Sequence, residues 1–116
     1  MSARRRYATG ANAPFELSEK HFQQAVLDFA AYNGWKLRYH TLTSIGSQPG
    51  FPDLVLVRAP RLIFAELKTE KGRLTIEQSR WLEALWDCGQ EAFCWRPSDW
   101  PAIERVLARE PAKAAR

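Results

Sequence analysis

The chain has little from which to build a cage of soft metal ligands or a disulfide framework. Of its 116 residues, two are cysteine and two are histidine. Cys88 and Cys94 form no CxxC pair. With only His21 and His40 beside them, they are too few and too scattered for structural zinc. They read as packed thiols of a reduced, cytoplasmic protein. No apolar run reaches the roughly 20 residues that a membrane-spanning helix needs. Arg4, Arg5 and Arg6 lead into no apolar stretch, so a signal peptide is not expected. There is no internal repeat and no linker. These absences exclude a stapled secreted scaffold, a zinc finger, a helical membrane protein and a repeat array.

What is present fits one globular domain. Hydrophobic residues make up 46% of the chain and charged residues 26%, and a chain of this size buries a core without staples. The net charge of +4 and the pI near 9.4 favour a polyanionic partner. Residues 1–14 carry Gly, Ala, Asn and Arg without periodicity. They read as a flexible basic arm, whose arginines either touch phosphates or only solubilise the chain. Residues 15–108 form the domain, and 109–116 read as a tail.

Ser18 is a natural N-cap, and Glu19 follows in the first turn, where the helix dipole favours a carboxylate. Phe22, Val26, Phe29 and Ala30 recur at helical spacing, and Asn33-Gly34 ends that helix. "WKLRYHTL" alternates, which predicts a strand with Trp35, Leu37 and Tyr39 facing the core. "DLVLV" and "RLIFAEL" are continuous apolar runs, joined by the short turn "RAPR". Such runs predict strands covered on both faces. Thr75 and Gln78 match the S/T-x-x-E/Q capping box of a second helix, with Trp81, Leu82, Leu85 and Trp86 as its inner stripe. "EAFCWR" reads as a fourth strand. "SDWPAIERVL" reads as a last helix, with Ser98 as its cap and Pro101 in its first turn. The order helix, three strands, helix, strand, helix predicts an α/β fold on a small mixed sheet.

Charges sit at both ends of the most apolar segment, "GFPDLVLVRAPRLIFAELK". In a strand, residues two apart share a face, so Glu66 and Lys68 continue the side of Leu62 and Phe64. Charges that prolong a core face are costly unless they are paired or bound to a metal. Hairpin pairing brings Asp53, at the start of one strand, beside Glu66, at the end of the other. Two adjacent carboxylates repel, and a divalent cation relieves that repulsion. Hard oxygen ligands suit Mg2+ or Mn2+. The Leu67 carbonyl adds a third ligand, and Lys68 is placed to orient water or neutralise a phosphate. Together these parts fit metal-assisted phosphodiester hydrolysis. Against this stands a solvated Glu-x-Lys pair at a strand end, and a bare Asp followed by Glu-x-Lys is a weak motif.

"GFPDLVLV", "FAELK" and "GRLTIEQSRWL" together resemble the virus-type replication-repair nuclease (VRR-NUC) domain of the PD-(D/E)xK superfamily. "SEKHFQQAVLDFAAYNGW" before them and "WRPSDW" after them extend the likeness from about Leu17 to about Leu107. The resemblance implies a restriction-endonuclease-like αβββαβ core. It implies Asp53 and Glu66 as metal ligands, Lys68 as the lysine of the motif, and Glu19 as a helix-borne acid for a second metal or a bound water. Glu16 competes with Glu19 for that role, but Glu19 precedes "FQ" as the family's acid does. Gln78 corresponds to a glutamine supporting the lysine or the substrate. The likeness to Holliday-junction resolvases implies a homodimer acting on branched DNA in replication, repair or recombination.

Other residues offer DNA contacts. His40 stands on the polar face of the first strand, as a general base, a phosphate contact or a surface histidine. Ser44 and Ser47 lie in the following loop, and Gln23 shares a helix face with Glu19. Lys71 and Arg73 follow the motif and suit phosphates if DNA crosses the site. The expected function is a Mg2+-dependent endodeoxyribonuclease. The alternatives are a binding module on the same fold, or a flap or nicking nuclease without junction preference.

Overall fold

The computed structural model describes residues 18–42 and 46–108. Glu16, Ser44, the arginines at 4–6 and the tail at 109–116 lie outside them. Helix α1 (Glu19–Tyr32) is followed by strands β1 (Leu37–His40), β2 (Leu54–Arg58) and β3 (Arg61–Leu67). Helix α2 (Ile76–Asp87), strand β4 (Glu91–Trp95) and helix α3 (Trp100–Leu107) complete the order. The sheet runs β1-β2-β3-β4. The first two pairings are antiparallel and β3–β4 is parallel, which gives the mixed sheet expected.

Register separates the two faces. Leu54, Leu56, Ile63, Ala65, Leu67 and Trp95 point to one side and are buried with Phe22, Val26 and Ala30 of α1 and Ile103 and Leu107 of α3. This is the core. Trp35 anchors its edge by donating Nε1–H to the Leu107 carbonyl at 2.8 Å. The guanidinium groups of Arg58 and Arg61 lie 4.6 and 5.1 Å from its ring, cation–π contacts that shield the indole.

The other face carries Leu37 and Tyr39 opposite Val57 and Val55, then Leu62 and Phe64. The expectation that Leu37 and Tyr39 face the core is corrected here, for they are 66% and 63% exposed. Trp35, expected on the same side, is buried, whereas Leu37, Arg38 and Tyr39 are all exposed and His40 half-buried, so burial does not alternate along β1. α2 packs on β4, the opposite edge from β1, so the rim of this face at β1 stays in solvent. For the same reason β2 and β3 are buried on one face and, apart from the buried Glu66, half-buried on the other, not covered throughout on both.

α2 also differs from expectation. Thr75 and Gln78 form the capping box reciprocally, but no residue of the helix is fully buried, and Trp86 is 60% exposed. Its stripe meets an edge strand and a loop, which cover only part of it. The cap of α3 is Asp99, not Ser98, and its carboxylate serves the preceding turn by accepting the Arg96 N–H at 2.8 Å. Pro97–Asp99 form a 3-10 turn that places α3 one step later than the sequence suggests.

Candidate active site

The loop before Asp53 is locked onto α2. Gly50 has φ +96°, and a Cβ there would lie 2.6 Å from the Glu77 carbonyl carbon. Only glycine allows that backbone conformation and that approach. Trp81 donates Nε1–H to the Pro49 carbonyl at 3.1 Å, and Phe51 stands edge-on to Trp81 and Phe64. Pro52 is buried. Just after β1, Thr41 donates its N–H to the Asp53 carbonyl at 2.8 Å and its hydroxyl to the Pro52 carbonyl at 3.0 Å. Asp53 is thus held on both sides before β2 begins.

Leu54 pairs with Ala65, so the ladder sets Asp53 opposite Glu66. Asp53 Oδ2 accepts the Leu67 N–H at 2.9 Å. Glu66 is only 2% exposed. Its Oε2 accepts the Gln78 side-chain amide at 2.9 Å and lies 3.7 Å from Lys68 Nζ. Its Oε1 is buried with no hydrogen-bond partner. Burial, and then the negative charge of Asp53, raise the Glu66 pKa from 4.5 to about 8, against the opposing pull of Lys68. Desolvation and a like charge both penalise the carboxylate form, and one cation at 3.7 Å does not offset them.

Gln78 serves two structures at once. Its Oε1 accepts the Thr75 N–H at 2.9 Å, closing the helix cap, while its Nε2 reaches Glu66. Asp53, Glu66, Lys68 and Gln78 therefore gather at one end of the sheet. Cys94 pairs with Glu66 across β3–β4, and burial raises its pKa, so its thiol stays protonated beside the carboxylates.

The remaining sequence candidates are more dispersed. α1 lies on the core side of the sheet, opposite the face bearing Glu66. Glu19 opens α1 and is exposed. Among the described residues no three of His, Cys, Asp and Glu gather as a metal-ligating group, so Glu19 does not join Asp53 and Glu66 in such a cluster. Gln23, one turn on, stands 3.4 Å from His40 Nδ1. That contact ties α1 to the end of β1, and His40 pairs with Leu54 next to Asp53. Ser47, Lys71 and Arg73 are exposed.

One arrangement went unread in the sequence. Arg96, just after β4, donates Nη1–H to the carbonyls of Thr69 and Gly72, each at 2.6 Å, and of Glu70 at 3.3 Å. The loop so held directly follows Lys68. The only signal was the polar run inside "WRPSDW", which does not reveal that its arginine turns back onto backbone carbonyls.

Two comparisons with known proteins find a match. The profile of the VRR-NUC domain matches residues 16–99. A solved structure described as a VRR_NUC domain protein superposes with a TM-score of 0.60 at 19% identity, covering 82% of this chain and 93% of that one. No curated protein matches the sequence.

Proposed function

Because the chain belongs to the VRR-NUC domain family, a family of nucleases of the PD-(D/E)xK type whose substrate is DNA, we propose that it is a Mg2+- or Mn2+-dependent DNA endonuclease with Asp53, Glu66 and Lys68 at its centre. The observation that carries this reading is the unpartnered Oε1 of a buried glutamate beside a second carboxylate. Without a cation, burial and the Asp53 charge favour the protonated form of this carboxyl. A divalent cation satisfies the free oxygen and the mutual repulsion together, and hard oxygen donors suit magnesium.

Asp53, Glu66 and the Leu67 carbonyl would hold the ion, with Glu19 holding a second one or acting through water. The ion supplies Lewis-acid polarisation of the phosphodiester and a lowered pKa for water. The chain's own residues do the rest. Gln78 pins Oε2 of Glu66, which leaves Oε1 as the available donor. The Leu67 N–H fixes the rotation of Asp53. Lys68, with its side chain 18% exposed, supports the attacking water or neutralises the scissile phosphate. His40, Ser44, Lys71 and Arg73 contact the flanking backbone. The substrate is branched DNA, cut by a homodimer whose two-fold axis matches a four-way junction.

The test is cleavage of end-labelled four-way junction, flap, duplex and single strand, with Mg2+ or with chelator and with Glu66→Ala as control. Mg2+-dependent symmetric nicks in the junction, absent in the variant, are expected. Cutting of other substrates alone removes the junction preference. Binding without cutting in any metal removes the enzyme.

A further inference from the structure

The loop from Thr69 to Arg73 joins the motif lysine to α2 and bears two exposed cations, Lys71 and Arg73. A five-residue surface loop with a glycine has many conformations in solution, and cations on a wandering loop bind phosphates poorly because ordering them costs entropy. Here the loop is held from outside. Arg96 Nη1 gathers the carbonyls of Thr69, Glu70 and Gly72. The Ser98 N–H donates to Glu70 Oε2 at 2.5 Å. Arg96 is itself fixed, since β4 pairs with β3 up to Trp95, whose carbonyl accepts the Lys68 N–H at 2.9 Å, and Asp99 accepts the Arg96 N–H. Within the loop, the Gly72 N–H turns back to Thr69 Oγ1 at 3.1 Å.

We infer that Arg96 is a positioning residue: it clamps the Thr69–Gly72 backbone so that Lys71 and Arg73 are preorganised for the DNA backbone. The inference rests on the nuclease reading for the identity of the ligand. Its structural half stands without it. Arg96 points its guanidinium at peptide carbonyls rather than outward, so it acts through the loop and not by touching phosphate. A charged donor shared between carbonyls makes stronger bonds than a neutral one.

Arg96→Lys is the decisive variant. It keeps the charge, but the ammonium ends one bond short of Nη1 and lacks the planar fork. Arg96→Gln is the second, with thermal unfolding and circular dichroism establishing that each is folded at the assay temperature. Two quantities are read. The first is the rate of tryptic cleavage after Lys71 and Arg73, followed by mass spectrometry. It is expected to rise about tenfold in both variants as the loop opens locally. The second is the slope of log Kd against log salt for a DNA duplex in chelator. It is expected to fall by up to about 1.8, the share of two phosphate contacts at ~0.9 each, and to fall in Arg96→Lys although the net charge is unchanged. Lys71→Ala/Arg73→Ala is expected to reproduce that fall, and adding Arg96→Lys to it to change nothing further.

An unchanged cleavage rate overturns the clamp whatever the DNA results. A looser loop with an unchanged slope overturns its role in presenting the cations. A slope restored by lysine but lost in Arg96→Gln makes Arg96 a direct phosphate contact and overturns the inference. Wild-type protein that neither binds nor cuts DNA overturns the functional reading, an outcome distinct from all three.

Discussion

Replacing Glu66 with glutamine isolates the strongest electrostatic feature of the fold. In the wild type the Glu66 pKa rises from 4.5 to about 8, through burial first and the Asp53 charge second. The folded state therefore keeps a proton that the unfolded chain releases above pH 4.5. Stability from this group is fully present below pH 4.5, declines through the window, and is lost by about pH 8. Within the window the slope approaches ~1.4 kcal/mol per pH unit, so the total is on the order of 5 kcal/mol. Glutamine cannot ionise, and it presents the shape of the protonated acid to Gln78 and Lys68. Urea unfolding of both proteins in chelator, at unit steps from pH 5 to 9, is the assay. The wild type is expected to lose stability toward pH 8 while Glu66→Gln stays flat, with the two converging near pH 5. Parallel curves would refute the reasoning, because they would mean that Glu66 titrates alike in folded and unfolded chains. Mg2+ is expected to restore wild-type stability at pH 8 and to leave Glu66→Gln unmoved.

Gln78→Glu is expected to keep the capping box, which accepts either side chain, yet to abolish cleavage by setting a third carboxylate against Glu66; circular dichroism and the nicking assay separate the two effects. Gly50→Ala is expected to lose about 2 kcal/mol or more in thermal unfolding, since its Cβ meets the Glu77 backbone at 2.6 Å and its φ is +96°. Leu37→Ser is expected to change the stability of the isolated chain by less than ~0.5 kcal/mol, as befits a side chain 66% exposed; a large loss in urea unfolding would contradict the orientation of β1. Lys68→Ala is expected to lower the cleavage rate at least about a hundredfold, on the scale of losing one group that stabilises developing charge.

The elements were legible because their signals are local. Ser18, Thr75 with Gln78, and Gly34 and Gly89 at φ 88° and 83° are stop and start marks read within one turn of chain. The Asp53–Glu66 pairing followed from hairpin geometry alone. Polarity failed where tertiary neighbours decide it. Leu37 and Tyr39 alternate as core residues do, but what covers a strand depends on where α2 packs, which lies some forty residues downstream. The stripe of α2 misled for the same reason, being drawn to an edge strand rather than into the core. Arg96 was hidden because backbone carbonyls leave no trace in side-chain spacing. Glu19 was placed by resemblance; it opens α1 and is exposed, and among the described residues it forms no three-residue ligand cluster with Asp53 and Glu66.

The shared duty of Gln78 has a consequence for how this protein tolerates change. One amide closes the first turn of α2 with its oxygen and holds the buried glutamate with its nitrogen. A side chain used once can drift when its task is relaxed. One used twice is constrained by both tasks, and they demand different atoms of the same group. Glutamate can close the turn and asparagine is too short for either bond, so the position has almost no neutral neighbours among single substitutions. A lineage that abandoned cleavage would be free to vary Asp53 or Lys68, while this position would be confined by the helix cap to glutamine or glutamate.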